Sequence, residues 1–230
     1  MAAPQFPPVE RADSSGLLML GGELTPPWLL EAYSRGIFPW PLVEGRHELL
    51  AWFSPDPRAI LELDAMHVSR RLRRRLRRGE FRFTADRAFP DVVAACAAPR
   101  SADSGVWITQ DMGEAYVAFH QLGHAHSIEV WRDDELVGGV YGVSLGGCFA
   151  GESMFHRRRD ASKAALAVLV ARLRARGFRL FDVQAPTAHL RSLGAKTIPR
   201  DEFLRRLQRA IEAKADFGPA GEIDLSALEF

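Results

Sequence analysis

Two acids and one amide are placed where they can do chemistry. Glu152 lies in Gly151-Glu152-Ser153-Met154-Phe155, and Asp182 and Gln184 lie in Leu180-Phe181-Asp182-Val183-Gln184. Each acid follows apolar residues, Cys148-Phe149-Ala150 in one case and Leu180-Phe181 in the other. A carboxylate in such a setting loses hydration, so it needs either a partner or a task. The Arg157-Arg158-Arg159 run is a ready partner, and pairing with it would account for either acid alone. His120, His124 and His126 form a second group. His124 and His126 flank a helix stop and a strand start, and no carboxylate stands at HExxH spacing, so structural histidine is expected and no metal.

A third group is cationic. Residues 67–78 hold Arg70, Arg71, Arg73, Arg74, Arg75, Arg77 and Arg78 and no acid, while Val68, Leu72 and Leu76 recur every four residues. The pattern is a helix with one apolar stripe and a face of like charges that a polyanion would relieve. A fourth group is aromatic: Ile37-Phe38-Pro39-Trp40-Pro41 and Ala51-Trp52-Phe53-Ser54-Pro55-Asp56-Pro57-Arg58. Proline fixes φ and lowers the entropy lost in presenting a ring. Such segments either plug a small core or form a rigid wall for a planar ligand.

The elements that must position these groups follow from periodicity and punctuation. Residues 1–15 read as a frayed tail. Thr25 is placed to cap a helix with Pro26 and Pro27 in its first turn, which Gly36 stops. Phe89 to Ala98 reads as a helix, and Thr109 caps another bearing Met112, Tyr116 and Phe119 on one face. Ser127 to Trp131 alternates at period two, Asp133-Asp134 is turn chemistry, and Leu136 to Val143 resumes the extended pattern, a β-hairpin signal. Cys148 to Phe155 continues as a strand. Asp160 or Ser162 opens a long helix closed by Gly177, and Phe178 to Gln184 is the next strand. A short helix to Gly194, a last one from Asp201 to about Ala213, and a loose acidic tail from Asp216 complete the chain.

Helix, antiparallel strands, helix, strand, helix is the order of an N-acetyltransferase-like (GNAT-like) domain. The expected fold is therefore α+β: a small aromatic and proline-rich N-terminal domain over 1–56, and a GNAT-like domain with a central, mostly antiparallel sheet over 57–230. In that layout a ligand phosphate meets the N-terminus of the central helix. Arg157 to Lys163 stands there without the glycine-spaced loop of coenzyme-A users, which disfavours an acetyltransferase.

Composition bounds the rest. The 230 residues are 47% hydrophobic, enough for a real core. Cys96 and Cys148 stand far apart with no partners at metal spacing, which argues against a disulfide scaffold. The longest apolar run, Ala164 to Ala171, is far short of the roughly 20 residues of a membrane span, and Met1 to Glu10 has no signal-peptide pattern, so a cytoplasmic protein is expected. A net charge of +1 conceals its distribution: residues 67–78 carry seven arginines, and 157–179 carry seven more plus Lys163 against Asp160 alone.

Taken together, Gly36-Ile37-Phe38-Pro39-Trp40, Trp52 to Arg58, Val106-Trp107-Ile108-Thr109, Gly123 to Glu129, Leu136 to Gly142, Gly151 to Phe155, Ala161-Ser162-Lys163 and Ser192-Leu193-Gly194-Ala195 form eight ordered blocks. This set resembles the leucyl/phenylalanyl-tRNA–protein transferase family, from about residue 16 to 205. The resemblance implies transfer of Leu or Phe, less well Met, from aminoacyl-tRNA to the N-terminal Arg or Lys of an acceptor protein, marking it for N-degron degradation. No cofactor, no membrane and a monomer are expected. By similarity Gln184 contacts the attacking amine, Asp182 orients Gln184, and Glu152 holds the aminoacyl end or the acceptor charge. The two acids together would then select a cationic acceptor. Val140, Phe149, Met154 and Leu169 would line the donor side-chain pocket, and Trp40 and Trp107, with Tyr33 and Tyr116 beside them, would stack the terminal adenine or wall that pocket. The arginines at 70–78, with Arg157, Arg158 and Lys163, would track acceptor-stem phosphates. Phe53, Val140 and Val183 depart from the family pattern, the first two at positions that could alter donor preference.

Overall fold

The computed structural model describes residues 4–44, 47–98 and 108–230. The N-terminal part contains β1 (Leu17–Leu20), α1 (Pro26–Ser34), β2 (Phe38–Pro39), β3 (Leu42–Glu44), β4 (His47–Leu49) and β5 (Ala51–Phe53). Strands β1, β5 and β2 form a three-stranded sheet, and β3 and β4 form a separate ribbon. Trp52 is fully buried, stacked on Trp28 at 6.0 Å with its indole N–H donated to the Gly21 carbonyl. Of the two readings of the aromatic segments, Trp52 is therefore a core plug, whereas Trp40 is 38% exposed.

The frayed tail expected over residues 1–15 is corrected for residues 4–15, and residues 1–3 lie outside the described residues. Phe6 packs edge-on against Trp28 and Trp52, Val9 is buried in a 3-10 turn (Val9–Arg11), and Arg35 donates to the carbonyls of Phe6 and Pro7. The apolar pair fixes a segment whose proline content hid it. Thr25 precedes α1 but makes no side-chain capping bond, and Gly36 ends the helix at φ 71°.

The remainder is built on one eight-stranded sheet. Its strands are β6 (Arg58–Ile60), β7 (Arg82–Ala85), β8 (Ala125–Arg132), β9 (Glu135–Leu145), β10 (Cys148–His156), β11 (Leu180–Gln184), β12 (Lys196–Ile198) and β13 (Gly221–Glu222), in the order β12-β6-β11-β10-β9-β8-β7-β13. Among the described residues only β10 and β11 pair in parallel, which gives the mostly antiparallel sheet that the element order implied. The β8–β9 hairpin turns on Asp133 and Asp134, both left-handed as a tight hairpin requires.

Helices α2 (Arg70–Arg77) and α5 (Ala161–Ala175) cover one face. Helices α3 (Phe89–Ala97) and α4 (Gln110–Gln121), with α1, cover the other, while α7 (Arg200–Ile211) packs near the β6–β12 edge and α6 (Ala188–Ser192) links β11 to β12. Ser69 caps α2 and Thr109 caps α4, each accepting the backbone N–H three residues on. Helix α5 is apolar nearly all round because the sheet, α2 and the C-terminal segment enclose it.

That C-terminal segment is a second correction. Phe217 is buried, stacked on His126 at 4.3 Å and on Phe149 at 5.7 Å, and the Arg172 guanidinium lies 5.0 Å from its ring. Residues beyond it add β13 to the sheet edge, so the segment from Asp216 is docked rather than loose.

Candidate active site

Glu152 and Gln184 are brought together by two irregularities in neighbouring strands. The parallel β10–β11 ladder runs from Cys148–Leu180 to Ala150–Asp182. There β10 shifts register against β9 between Gly151 and Ser153, and β11 shifts against β6 between Asp182 and Gln184. A bulge re-aims side chains that a regular pleat would send to fixed faces. Gly142 lets β9 lie close against β10 at its bulge, since a Cβ there would lie 2.2 Å from the Ala150 carbonyl. Gln184 itself is left-handed, φ 60°, a conformation that strains any residue with a Cβ.

Across this gap Gln184 Nε2 donates to Glu152 Oε1 at 2.7 Å. Tyr116 donates its hydroxyl to Glu152 Oε2 at 2.7 Å, and the Tyr33 and Tyr116 hydroxyls are 2.7 Å apart. Burial raises the Glu152 carboxyl to about 7, against the pull of the Tyr33, Tyr116 and Gln184 hydrogen bonds, and the charge of Asp182 adds to the rise. Burial, followed by the Glu152 charge, likewise raises both tyrosines well above their usual range. A carboxyl poised near neutrality inside a hydrogen-bonded chain can exchange a proton with a bound amine.

Asp182 is not placed as expected. Its carboxylate forms a fork with Arg58, Nε to Oδ1 at 2.8 Å and Nη2 to Oδ2 at 2.6 Å, and Oδ1 also accepts the backbone N–H of Gln184 at 2.9 Å. Neither acid pairs with the Arg157–Arg159 run. Asp182 is 3% exposed and its charge is matched by Arg58, whereas the expectation gave it a share in binding a cationic acceptor. It orients Gln184 through the backbone rather than through the side chain. The sequence signals Arg58 only through the proline-rigid run that ends on it, immediately before the apolar Ala59-Ile60-Leu61.

Tyr33 and Tyr116 are 5% and 0% exposed. They are buried in the core and offer Glu152 a hydroxyl chain rather than an exposed ring face. Trp40 does present a partly exposed ring, and Trp107 lies outside the described residues. Val140 and Met154 are cross-strand neighbours on β9 and β10. Val140, Phe149 and Leu169 are buried in the core on the α5 face, and the partly buried Met154 packs against it.

The two cationic segments form one surface. Arg75 Nη1 donates to the Arg159 carbonyl at 2.9 Å and to Asp160 Oδ2 at 2.7 Å, which docks α2 against the start of α5. Asp160 does not cap α5 with its side chain; it is held at φ 68° and used for this ion pair. Arg70, Arg73, Arg74, Arg77 and Arg78 are exposed and form no ion pair with the described residues, whereas Arg158 stands 3.6 Å from Glu135.

The histidines meet an acid that the spacing did not disclose. Asp86, His120 and His126 offer ligand atoms within 4.8 Å of one another. Each of the three already has a partner: His126 Nδ1 lies 2.7 Å from Asp86 Oδ2, Asp86 Oδ1 accepts the Ser127 N–H at 2.7 Å, and His120 Nδ1 lies 2.7 Å from the Ala125 carbonyl. His124 packs its ring on Phe119.

Comparison with known proteins adds the following. The family described as leucyl/phenylalanyl-tRNA protein transferase matches residues 60–208, and the N-terminal domain of the same family matches residues 22–56. A leucyl/phenylalanyl-tRNA–protein transferase from Stutzerimonas stutzeri is 52% identical over 88% of this chain and 89% of its own length. One from Aromatoleum aromaticum is 53% identical over 87% of this chain and 84% of its own. Among solved structures, L-PGS from Bacillus licheniformis overlaps 70% of this chain and 52% of its own, at 14% identity and a TM-score of 0.42.

Proposed function

Because this chain belongs to the leucyl/phenylalanyl-tRNA–protein transferase family, we propose that Gln184 and Glu152 form the centre where an aminoacyl ester meets an attacking amine. The chain is an aminoacyltransferase. Its substrates are aminoacyl-tRNA and protein, and it moves leucine or phenylalanine from the one to the N-terminus of the other.

Forming a peptide bond from an ester and an amine runs downhill, so the task is to align the two and manage one proton. Alignment alone can contribute several kcal/mol. The Gln184–Glu152 hydrogen bond carries the reading. It fixes the Gln184 NH2 on the carboxylate and leaves Gln184 Oε1, which takes no hydrogen bond from the described residues, to accept an N–H of the amine. An amide is a weak base, so the positive charge developing on the nitrogen must be met by a neighbouring carboxylate. Glu152 is that neighbour, because Asp182 is neutralised by Arg58.

The acceptor carries N-terminal Arg or Lys, attracted by the Glu152 charge, and the product is an N-degron formed in the cytoplasm by a monomer. Val140, Phe149, Met154 and Leu169 receive the donor side chain, with flexible Met154 accommodating both shapes. Trp40, together with Trp107, stacks the terminal adenine, a contact that tolerates any base. The joined surface of α2, Arg157, Arg158 and Lys163 follows the acceptor-stem phosphates. The N-terminal unit ends near residue 56 and the transferase unit occupies 57–230.

The deciding experiment supplies labelled Phe-tRNA with a protein beginning in Arg, a matched protein beginning in Ala, and acetyl-coenzyme A as an alternative donor. Label in the Arg-starting protein alone is expected. No label in either protein, or acetylation instead, rejects the reading.

A further inference from the structure

Arg58 opens β6 and is 1% exposed. Besides the fork to Asp182, its Nη1 donates to the Gly36 carbonyl at 3.1 Å. The faces of its guanidinium are covered by Phe38 at 4.7 Å and Phe203 at 4.6 Å. Gly36 must be glycine for this arrangement: it is left-handed, and a Cβ would lie 2.9 Å from the Phe203 ring and 2.8 Å from Leu204. Arg58 thus joins the N-terminal sheet, the catalytic strand β11 and α7 at one point.

A buried ion pair contributes little net stability over an apolar replacement of the same shape, so stability alone does not explain it. A planar fork does fix orientation, which a point charge cannot. The carboxylate so held accepts the N–H of Gln184, the residue whose left-handed backbone directs its amide to Glu152. We infer that Arg58 is a positioning residue for aminoacyl transfer: acting through Asp182, it locks the turn at Gln184 and thereby aims the Gln184 amide at Glu152 and the attacking amine. This rests on the transfer reading above. It also makes the N-terminal part a support of the catalytic turn, through Gly36 and Phe38.

The test uses full-length enzyme with Phe-tRNA and an Arg-starting acceptor. Arg58→Lys keeps the buried charge but cannot form the fork. Its melting temperature should stay near that of the unmodified enzyme, while kcat falls about 100-fold, the scale of a small misplacement of reacting groups. KM for Phe-tRNA should change less than about twofold; loss of folded enzyme would also lower apparent kcat at constant KM, so the unchanged melting temperature is the readout that excludes it. The double variant Arg58→Met with Asp182→Asn removes both charges, leaves no unpaired ion, and decides the matter should Arg58→Lys fail to fold. It should fold and remain as slow as Arg58→Lys. Wild-type kcat in either variant overturns the positioning role alone. Absence of transfer by the unmodified enzyme overturns the transfer reading and this role with it.

Discussion

The side-chain amide of Gln184 donates to Glu152 across the gap between β11 and the bulged β10, at 2.7 Å. The donor–acceptor sense is set by chemistry. An ionised carboxylate only accepts, so the atom facing it must be the NH2, and the amide oxygen is turned the other way. Protonating Glu152 removes that constraint, because a carboxylic acid can donate to an amide oxygen. The orientation of Gln184 is therefore tied to the charge of Glu152.

Transfer should accordingly depend on pH. With the Glu152 carboxyl raised by burial to about 7, kcat/KM rises with pH and levels off above that value. Glu152→Gln should abolish the limb and lower kcat about 100-fold, at the lower end of general-base contributions. Tyr116→Phe removes a hydrogen bond that holds the carboxyl down, so its limb should move to higher pH. A profile unchanged in Tyr116→Phe would mean that the limb belongs to another group.

The same shift has a cost in stability, of opposite sign to the usual surface acid. The folded value of about 7 lies above the ordinary 4.5, so the folded state holds the proton more tightly than the unfolded one. Stability from this group is fully present below pH 4.5 and is lost as pH rises to about 7, by about 3 kcal/mol. Glu152→Gln carries no such dependence; its amide oxygen can accept from Gln184 and its NH2 can donate to a reversed Tyr116 hydroxyl. Urea unfolding at pH 5 and pH 8 should show the variant gaining on the unmodified enzyme at the higher pH. Parallel curves would contradict a buried, titrating Glu152.

Phe217 should behave as a core residue. It is 3% exposed and lies between His126, Phe149 and Arg172. Phe217→Ala should cost about 3–5 kcal/mol, the usual range for removing a buried ring. Denaturant unfolding reads this directly, and a loss below about 1 kcal/mol would restore the view of a loose tail.

Legibility followed the range of the signal. The Leu72 and Leu76 stripe, the Asp133-Asp134 turn, the Thr109 cap and the Gly177 stop are local patterns that the structure keeps, although α2 starts only after its Ser69 cap and Val68 precedes it. Glu152 and Asp182 stood out because an acid beside apolar strand residues conflicts with burial. What escaped depends on contacts between distant residues. Arg58 and Asp182 are 124 positions apart, and Asp86 reaches His126 across 40. The strands β6, β7, β12 and β13 are too short to show a period of two, and both tails are fixed by isolated rings, Phe6 and Phe217, that no periodicity marks.

The arginines of α2 divide by their partners, and the division is testable. The Arg75 side chain is 15% exposed and held by Glu80 and Asp160, so its charge is already matched and its task is to dock α2 on α5. Arg73, Arg74 and Arg77 are exposed, with no ion pair among the described residues, so they are available to phosphate. Counterion release then sets the expectation: each phosphate contact removed should flatten the slope of log K against log salt by about 0.9. Substituting Ala at Arg73, Arg74 and Arg77 together should weaken Leu-tRNA and Phe-tRNA binding equally and flatten the slope, with little change in melting temperature. Arg75→Ala should lower the melting temperature and leave the slope nearly unchanged. Filter binding at several salt concentrations separates the two. A triple variant with the original slope would return α2 to a merely solvated face.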